Sequence, residues 1–208
     1  MKRSFLVIDD FLDNYWEVYE KALNRRYDTI TNPLGTPYGH AAKDDGDFPW
    51  DKVRDAMSFG NEEYAITPLL SMFKSVNAEQ GMADDRWIHN DLSKLGTEWS
   101  CIISLNDVAA VDMTGTACFQ HNKVGCWEKP DSDKLAAAGL NPNVVTRTLV
   151  EDTFKEDEWT LTEFAAMVPN RAVIFPAARW HARYPRESWG DIPSNGRLIW
   201  FGFFKEAK

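Results

Sequence analysis

The sequence predicts a mainly β domain with flanking α-helices. Three observations carry that expectation. Short apolar runs recur between turn signals from Arg86 onward. An amphipathic stretch precedes them. The aromatic share is 13% with nine Trp, which suits the filling of a sandwich or barrel. A chain of 208 residues, 44% of them hydrophobic, fits a single domain, 1–208, that can bury a core without staples. Within it, 1–85 reads as an N-terminal helical flank with the first strand, and 86–208 as the β-core.

Taken in order, Ser4–Ile8 reads as a short buried strand ended by Asp9 and Asp10. Asp13 or Asn14 then caps a helix in which Phe11, Trp16, Val18, Tyr19 and Leu23 give an imperfect amphipathic pattern up to about Arg26. Thr31–Trp50, rich in Gly, Pro, Asp and Asn, reads as a long loop, a class that is often functional. Leu69, Leu70, Phe73 and Val76 stand at helical spacing and predict a helix over Ile66–Ala78, stopped near Gly81. Arg86–Asp91, Trp99–Leu105, Thr116–His121, Val144–Val150, Thr162–Val168, Ala172–Phe175 and Arg197–Phe204 read as strands. Pro130–Leu140 reads as a loop with a helical turn, and no internal repeat or Gly/Ser/Pro-rich hinge divides the chain.

Composition narrows the function. The formal charge is −9 and the pI about 4.9, with no long Lys/Arg run, so nucleic acid is a less favoured partner than a small molecule or peptide. The run Phe5–Ile8 stops too soon for a signal-peptide core, and no stretch approaches the ~20 apolar residues of a membrane span. Cys101, Cys118 and Cys126 form no CxxC pair, which predicts reduced thiols and a cytoplasmic location, with Cys101 and Cys118 as small core residues.

The chemistry sits in three places. In a strand, positions two apart share a face, so His89 and Asp91 of Trp87-Ile88-His89-Asn90-Asp91 can aim an imidazole and a carboxylate at one point. A third ligand is offered by His181, which follows a buried strand and the turn at Pro176. Two His and one carboxylate on one side of a metal leave open positions on the other, the donor set of non-haem Fe(II) oxygenases; the same set also suits zinc. Arg197 opens an apolar strand and needs a partner there. Its fork suits a carboxylate such as the distal one of 2-oxoglutarate, with one of the chain's own acidic residues as the bland alternative. Asn106 is either structural or a hydrogen-bonding contact to the cosubstrate. Arg183, with Arg186, lies in an expected loop suited to meeting substrate. His121 and His40 read as surface histidines, with His121 also a candidate substrate contact. Trp87, Trp99 and Trp200 can help wall a dry pocket. No Gly-x-Ser-x-Gly elbow or Ser/His/Asp set supports a hydrolase.

These residues resemble the iron(II)/2-oxoglutarate-dependent dioxygenase superfamily, in its small prolyl-hydroxylase-like branch, over most of the chain. Phe5-Leu-Val-Ile-Asp-Asp-Phe-Leu12 is similar to the branch's opening, and His89-Asn-Asp91 to its His-x-Asp motif. Ile102-Ile-Ser-Leu-Asn106 resembles the strand that follows, Thr114-Gly-Thr-Ala-Cys-Phe119 its Gly-Gly-Thr-x-Phe segment, Asn170-Arg-Ala-Val-Ile-Phe-Pro176 the strand before the distal histidine, and Gly196-Arg197 the start of the cosubstrate strand. The resemblance implies a double-stranded β-helix (jelly roll, cupin-like). It implies Fe(II) on His89, Asp91 and His181, and 2-oxoglutarate held by Arg197. With O2, the cosubstrate is decarboxylated to succinate and CO2 while a carbon of a peptidyl residue, amino acid or small metabolite is hydroxylated. Three positions depart from the pattern: Ser104 stands where a tyrosine is usual, Thr114 where the first Gly is usual, and Ile199 where Ser or Thr is usual. The other class of reading is a non-catalytic metal- or ligand-binding jelly-roll module.

Overall fold

The computed structural model describes residues 5–31, 37–58, 63–77, 88–106, 113–187 and 189–207. Among the described residues, ten strands form two antiparallel sheets. The larger sheet has seven, in the order β1 (Leu6–Ile8), β8 (Ala172–Pro176), β5 (Trp99–Ser104), β10 (Arg197–Glu206), β4 (Ile66–Val76), β3 (Pro37–Lys43) and β2 (Asp28–Thr31). The smaller has three, β7 (Trp159–Ala166), β6 (Gly115–His121) and β9 (His181–Tyr184), and His89 pairs with His181 of β9 as a further bridge on its edge. Chain order alternates between the sheets, from β5 to β6 and β7, back to β8, over to β9 and back to β10. That alternation makes the architecture a double-stranded β-helix.

The two faces of the large sheet have different partners. Cys101, Ile103, Ile174, Leu198, Trp200 and Phe204 face outward into a core completed by α1 (Tyr15–Leu23) and α2 (Trp50–Met57). Phe48, Phe73 and Trp200 are at its centre, with Phe73 stacked on Trp200 at 5.0 Å. The alternate positions Ile102, Val173 and Phe175 face inward and meet Ala165 of β7, which ties the two sheets together. The outer face of the small sheet, with Ala117, Phe119, Trp159 and Ala182, is covered by Leu149 of α4 (Pro142–Glu151). A short α3 (Ser132–Ala137) precedes it, begun by Asp131, whose carboxylate accepts from the backbone N–H of Asp133 and Lys134.

Four expectations change. Ile66–Val76 is a strand, not a helix, and pairs with β10 and β3. Both of its faces are covered, so apolar residues fall on both and imitate helical spacing. Val144–Val150 lies in a helix, not a strand. Asn141 caps it through Oδ1 to Asn143 N–H, and Pro142 occupies the first turn, which together outweigh the β-branched content. Thr31–Trp50 contains β3, which carries His40 in the left-handed region at φ 54°. With β2, β3 and β4 all in the large sheet, the chain before Asp85 is more than a helical flank. Trp87 and the expected start of the strand at Arg86 lie outside the described residues.

Candidate metal centre

The small sheet and its edge bridge assemble the centre. His89 N–H donates to His181 O at 2.9 Å and His181 N–H returns to His89 O at 2.8 Å, which fixes the two histidines side by side. The chain then continues so that Asp91 N–H donates to Ala177 O at 2.8 Å. One ligand atom from each of His89, Asp91 and His181 lies within 4.8 Å of the other two. His89 Nε2 is 3.8 Å from Asp91 Oδ1, and His181 Nε2 is 3.2 Å from Asp91 Oδ2. The three side chains predicted as ligands are therefore brought together.

Each is oriented by a neighbour. His181 Nδ1 lies 2.9 Å from Arg179 O, a contact that places the proton on Nδ1 and leaves Nε2 for the centre. The His181 ring also packs edge-on against Phe175 of β8 at 4.6 Å. Ser100 Oγ–H donates to Asp91 Oδ2 at 2.7 Å. Burial pushes the Asp91 carboxyl upward, but the two histidines and the Ser100 hydroxyl outweigh it and hold the group far below the ordinary carboxylate range. Burial disfavours the charged form of His181, yet the Asp91 charge and hydrogen bond prevail and raise its pKa above 6.5. Two imidazole nitrogens and a half-buried, ionised carboxylate are the donors a divalent transition metal takes, so the residues present fit the metal the sequence implies.

Arg197, 5% exposed, opens β10. Its Nη1–H donates to Gly115 O at 2.9 Å, and Nη2 lies 3.4 Å from Thr116 Oγ1. Asn106 is buried, and its Nδ2–H donates to Gly196 O, the residue before Arg197. Its Oδ1 is buried without a hydrogen-bond partner. Arg183 stands two residues after His181 on β9, opposite Thr116, and so shares the inner face with the centre. Its Nε–H donates to Arg186 O at 2.9 Å.

His121 is not part of this gathering. It follows Ala117 and Phe119 at alternate positions of β6 and faces outward with them, while Thr116 and Cys118 face inward. It is wholly buried, edge-on to Trp159 at 4.7 Å. Its Nδ1 accepts from Val124 N–H at 3.1 Å and its Nε2 is 3.1 Å from Asp152 Oδ2. With both ring nitrogens engaged, it has no atom to present to a substrate, which corrects the expectation that it contacts one. Asp152 and Glu158, which with His121 form a second cluster of metal-ligating residue types, are already matched by Lys155 and Lys123.

Ser100, Thr116 and Phe175 were not singled out by the sequence. Ser100 and Thr116 carried one usable signal, a hydroxyl in an otherwise apolar strand. Cys101 and Cys118 are buried as expected, and burial pushes the Cys118 thiol up to about 11 against the opposing pull of Arg179.

No family model matches the chain, and no curated protein matches it. Among solved structures, the crystal structure described as the non-haem α-ketoglutarate-dependent epimerase SnoN from nogalamycin biosynthesis is similar, with a TM-score of 0.54. The match covers 98% of this chain and 79% of that one at 14% sequence identity, a likeness of fold.

Proposed function

We propose that this protein is an Fe(II)- and 2-oxoglutarate-dependent oxygenase of the small prolyl-hydroxylase-like branch that hydroxylates a small molecule, amino acid or peptidyl residue, releasing succinate and CO2. The observation that carries the reading is the convergence of His89, Asp91 and His181 to within 4.8 Å on the face that also receives Arg197. The description of the similar fold as α-ketoglutarate-dependent supports it. Hydroxylation is the finer part of the proposal, since that relative is described as an epimerase.

His89, Asp91 and His181 would hold the iron, which supplies O2 activation and the oxidising step once bound. The chain's own residues supply the rest. Arg179 O keeps His181 in the tautomer that presents Nε2, and Ser100 holds Asp91 ionised and aimed. Arg197, steadied by Gly115 and Thr116, receives the distal carboxylate of the cosubstrate in its fork. Asn106 fixes the start of β10 through Gly196, so its effect on the cosubstrate passes through Arg197. Ile102, Val173, Phe175 and Ile199 line the interior and exclude water. Among the described residues no helix is long and apolar enough to cross a membrane, and all three cysteines are free, which supports a reducing, cytoplasmic setting.

The test is anaerobic addition of Fe(II) and 2-oxoglutarate, followed by air. Wild type is expected to give a weak visible charge-transfer band and then succinate, and His89→Ala and Arg197→Ala to lose both. Absence of metal and 2-oxoglutarate binding in wild type would replace this reading with the non-catalytic jelly-roll module. Once a substrate is found, oxygen from labelled O2 in the product separates hydroxylation from epimerisation.

A further inference from the structure

Four residues form one row across the small sheet. Glu163 of β7 stands opposite Cys118 of β6, Cys118 opposite His181 of β9, and His181 opposite His89. Residues directly opposed across strands point to the same side, so the row runs along the inner face from the two histidines to Glu163. At about 4.8 Å per strand, Glu163 lies roughly 10 Å from His181, with Cys118 between them.

The Arg179 side chain spans that gap. Its Nη2 pairs with Glu163, and its guanidinium lies against the Cys118 thiol. Its side chain is 11% exposed and that of Glu163 30%. Arg179 Nε is buried without a hydrogen-bond partner. An ion pair held inside a sheet with an unsatisfied guanidinium N–H is an unfavourable element if its role is only to hold the fold. The same arrangement is what a ligand-binding arginine presents before the ligand arrives. The backbone ties it to the centre as well, because Arg179 O orients His181.

From this geometry we infer that Arg179 and Glu163 are the substrate-recognition pair of the centre, and that the substrate is a small zwitterion with a carboxylate and an ammonium group, in the simplest case an α-amino acid. The inference rests on the oxygenase reading of His89, Asp91 and His181. Arg179 receives the carboxylate and Glu163 the ammonium. A ligand with only one of these charges meets the like charge of the pair. The head group sits about one strand spacing from His181, which brings a side-chain carbon a few bonds away to the metal. Arg197 reaches Thr116, two positions along β6 from Cys118, so substrate and cosubstrate occupy different parts of the interior.

The experiment is isothermal titration of the anaerobic protein, with and without Fe(II) and 2-oxoglutarate. The probes are the common L-α-amino acids, each matched with the amine lacking its carboxylate and the acid lacking its ammonium. At least one amino acid is expected to bind roughly tenfold or more tighter than its matched amine and acid. Glu163→Gln is expected to bring the matched acid level with the amino acid. Arg179→Gln is expected to weaken the amino acid roughly tenfold or more and to bring the matched amine level with it. Should Arg179→Gln fail to fold, Arg179→Lys keeps the charge and loses the fork, and still weakens the amino acid against its amine. If no amino acid binds, or if the variants melt lower but keep the ligand order of the wild type, the pair is structural and the inference is overturned. Failure of the oxygenase reading looks different: no 2-oxoglutarate binding, with amino-acid binding intact.

Discussion

Ser100→Ala removes the hydroxyl that donates to Asp91 Oδ2 at 2.7 Å, and it is expected to weaken divalent-metal binding about ten- to a hundredfold. Ser100 is 1% exposed, so no solvent stands ready to replace the bond. A hydrogen bond to a charged group contributes about 1.5–3 kcal/mol, and each ~1.4 kcal/mol is tenfold in affinity. Part of that contribution is common to the free and metal-bound states, because the same hydroxyl helps keep Asp91 ionised in both. What is lost on binding is orientation: Asp91 Oδ2, 3.2 Å from His181 Nε2, is no longer aimed. The assay is anaerobic Fe(II) titration against a competing chelator, with Ser100→Thr as the variant that restores a hydroxyl. Unchanged or tighter binding in Ser100→Ala would refute the reasoning, since it would mean that the hydroxyl competes with the metal for the carboxylate.

Three other outcomes follow from the same geometry. In the metal-free protein, the raised His181 pKa gives stability that is complete below about 6.5 and lost as pH climbs through the folded value, while the lowered Asp91 pKa gives stability present above about 3.8 and lost as pH falls toward its folded value. The melting midpoint of metal-free protein should therefore peak between those limits and Asp91→Asn should flatten the profile; a midpoint rising steadily from about pH 5 to about pH 8 contradicts this. Arg197→Lys keeps the charge but not the fork and should weaken 2-oxoglutarate at least roughly tenfold with metal affinity unchanged, measured by the visible band. Gly202→Ala sets a methyl 2.7 Å from Trp50 Cη2 and 2.8 Å from Phe48, an overpacking of about 1–3 kcal/mol that should lower the melting midpoint by about 2 to 12 °C.

The fold was legible in the sequence where one face of an element differs from the other. α1 and the strands β5, β8 and β10 were found because turn signals bounded them and their length suited only one element. β4 was missed because it lies in the middle of a sheet with cores on both sides: Phe73 joins the helix-covered core and Met72 the inner one. Nothing in eleven consecutive residues then marks a period of two. α4 shows the reverse case. Val144, Val145, Thr146, Thr148 and Val150 favour a strand by composition, and only the Asn141-Pro142 start reveals the helix. End signals were better evidence than propensity in that segment, because tertiary packing can override a propensity but a cap is a local bond.

For the site, the deciding factor is parity along a strand. His89 and Asp91 could be paired from the sequence because two residues in an extended chain share a face wherever the strand lies. His121 could not be judged the same way. Its parity with Ala117 and Phe119 and its opposition to Cys118 are present in the sequence, but which set faces the metal depends on β9, more than fifty residues later, aligning His181 with Cys118. That single register sends His121 outward to Asp152 and brings Cys118 inward. Glu163 enters the interior only through the pairing of β7 with β6, and Arg179 reaches it only because the turn before His181 folds its side chain back across Cys118. The metal ligands are therefore a local pattern joined to one distant histidine, whereas the residues proposed to choose the substrate exist as a group only after three strands are in register. A one-residue slip of β6 against β9 would reverse both sets, turning His121 to the inner face and removing Thr116 from Arg197. The inward placement of Thr116 beside Arg197 and the complete burial of His121 are two independent contacts, and both agree with the same register.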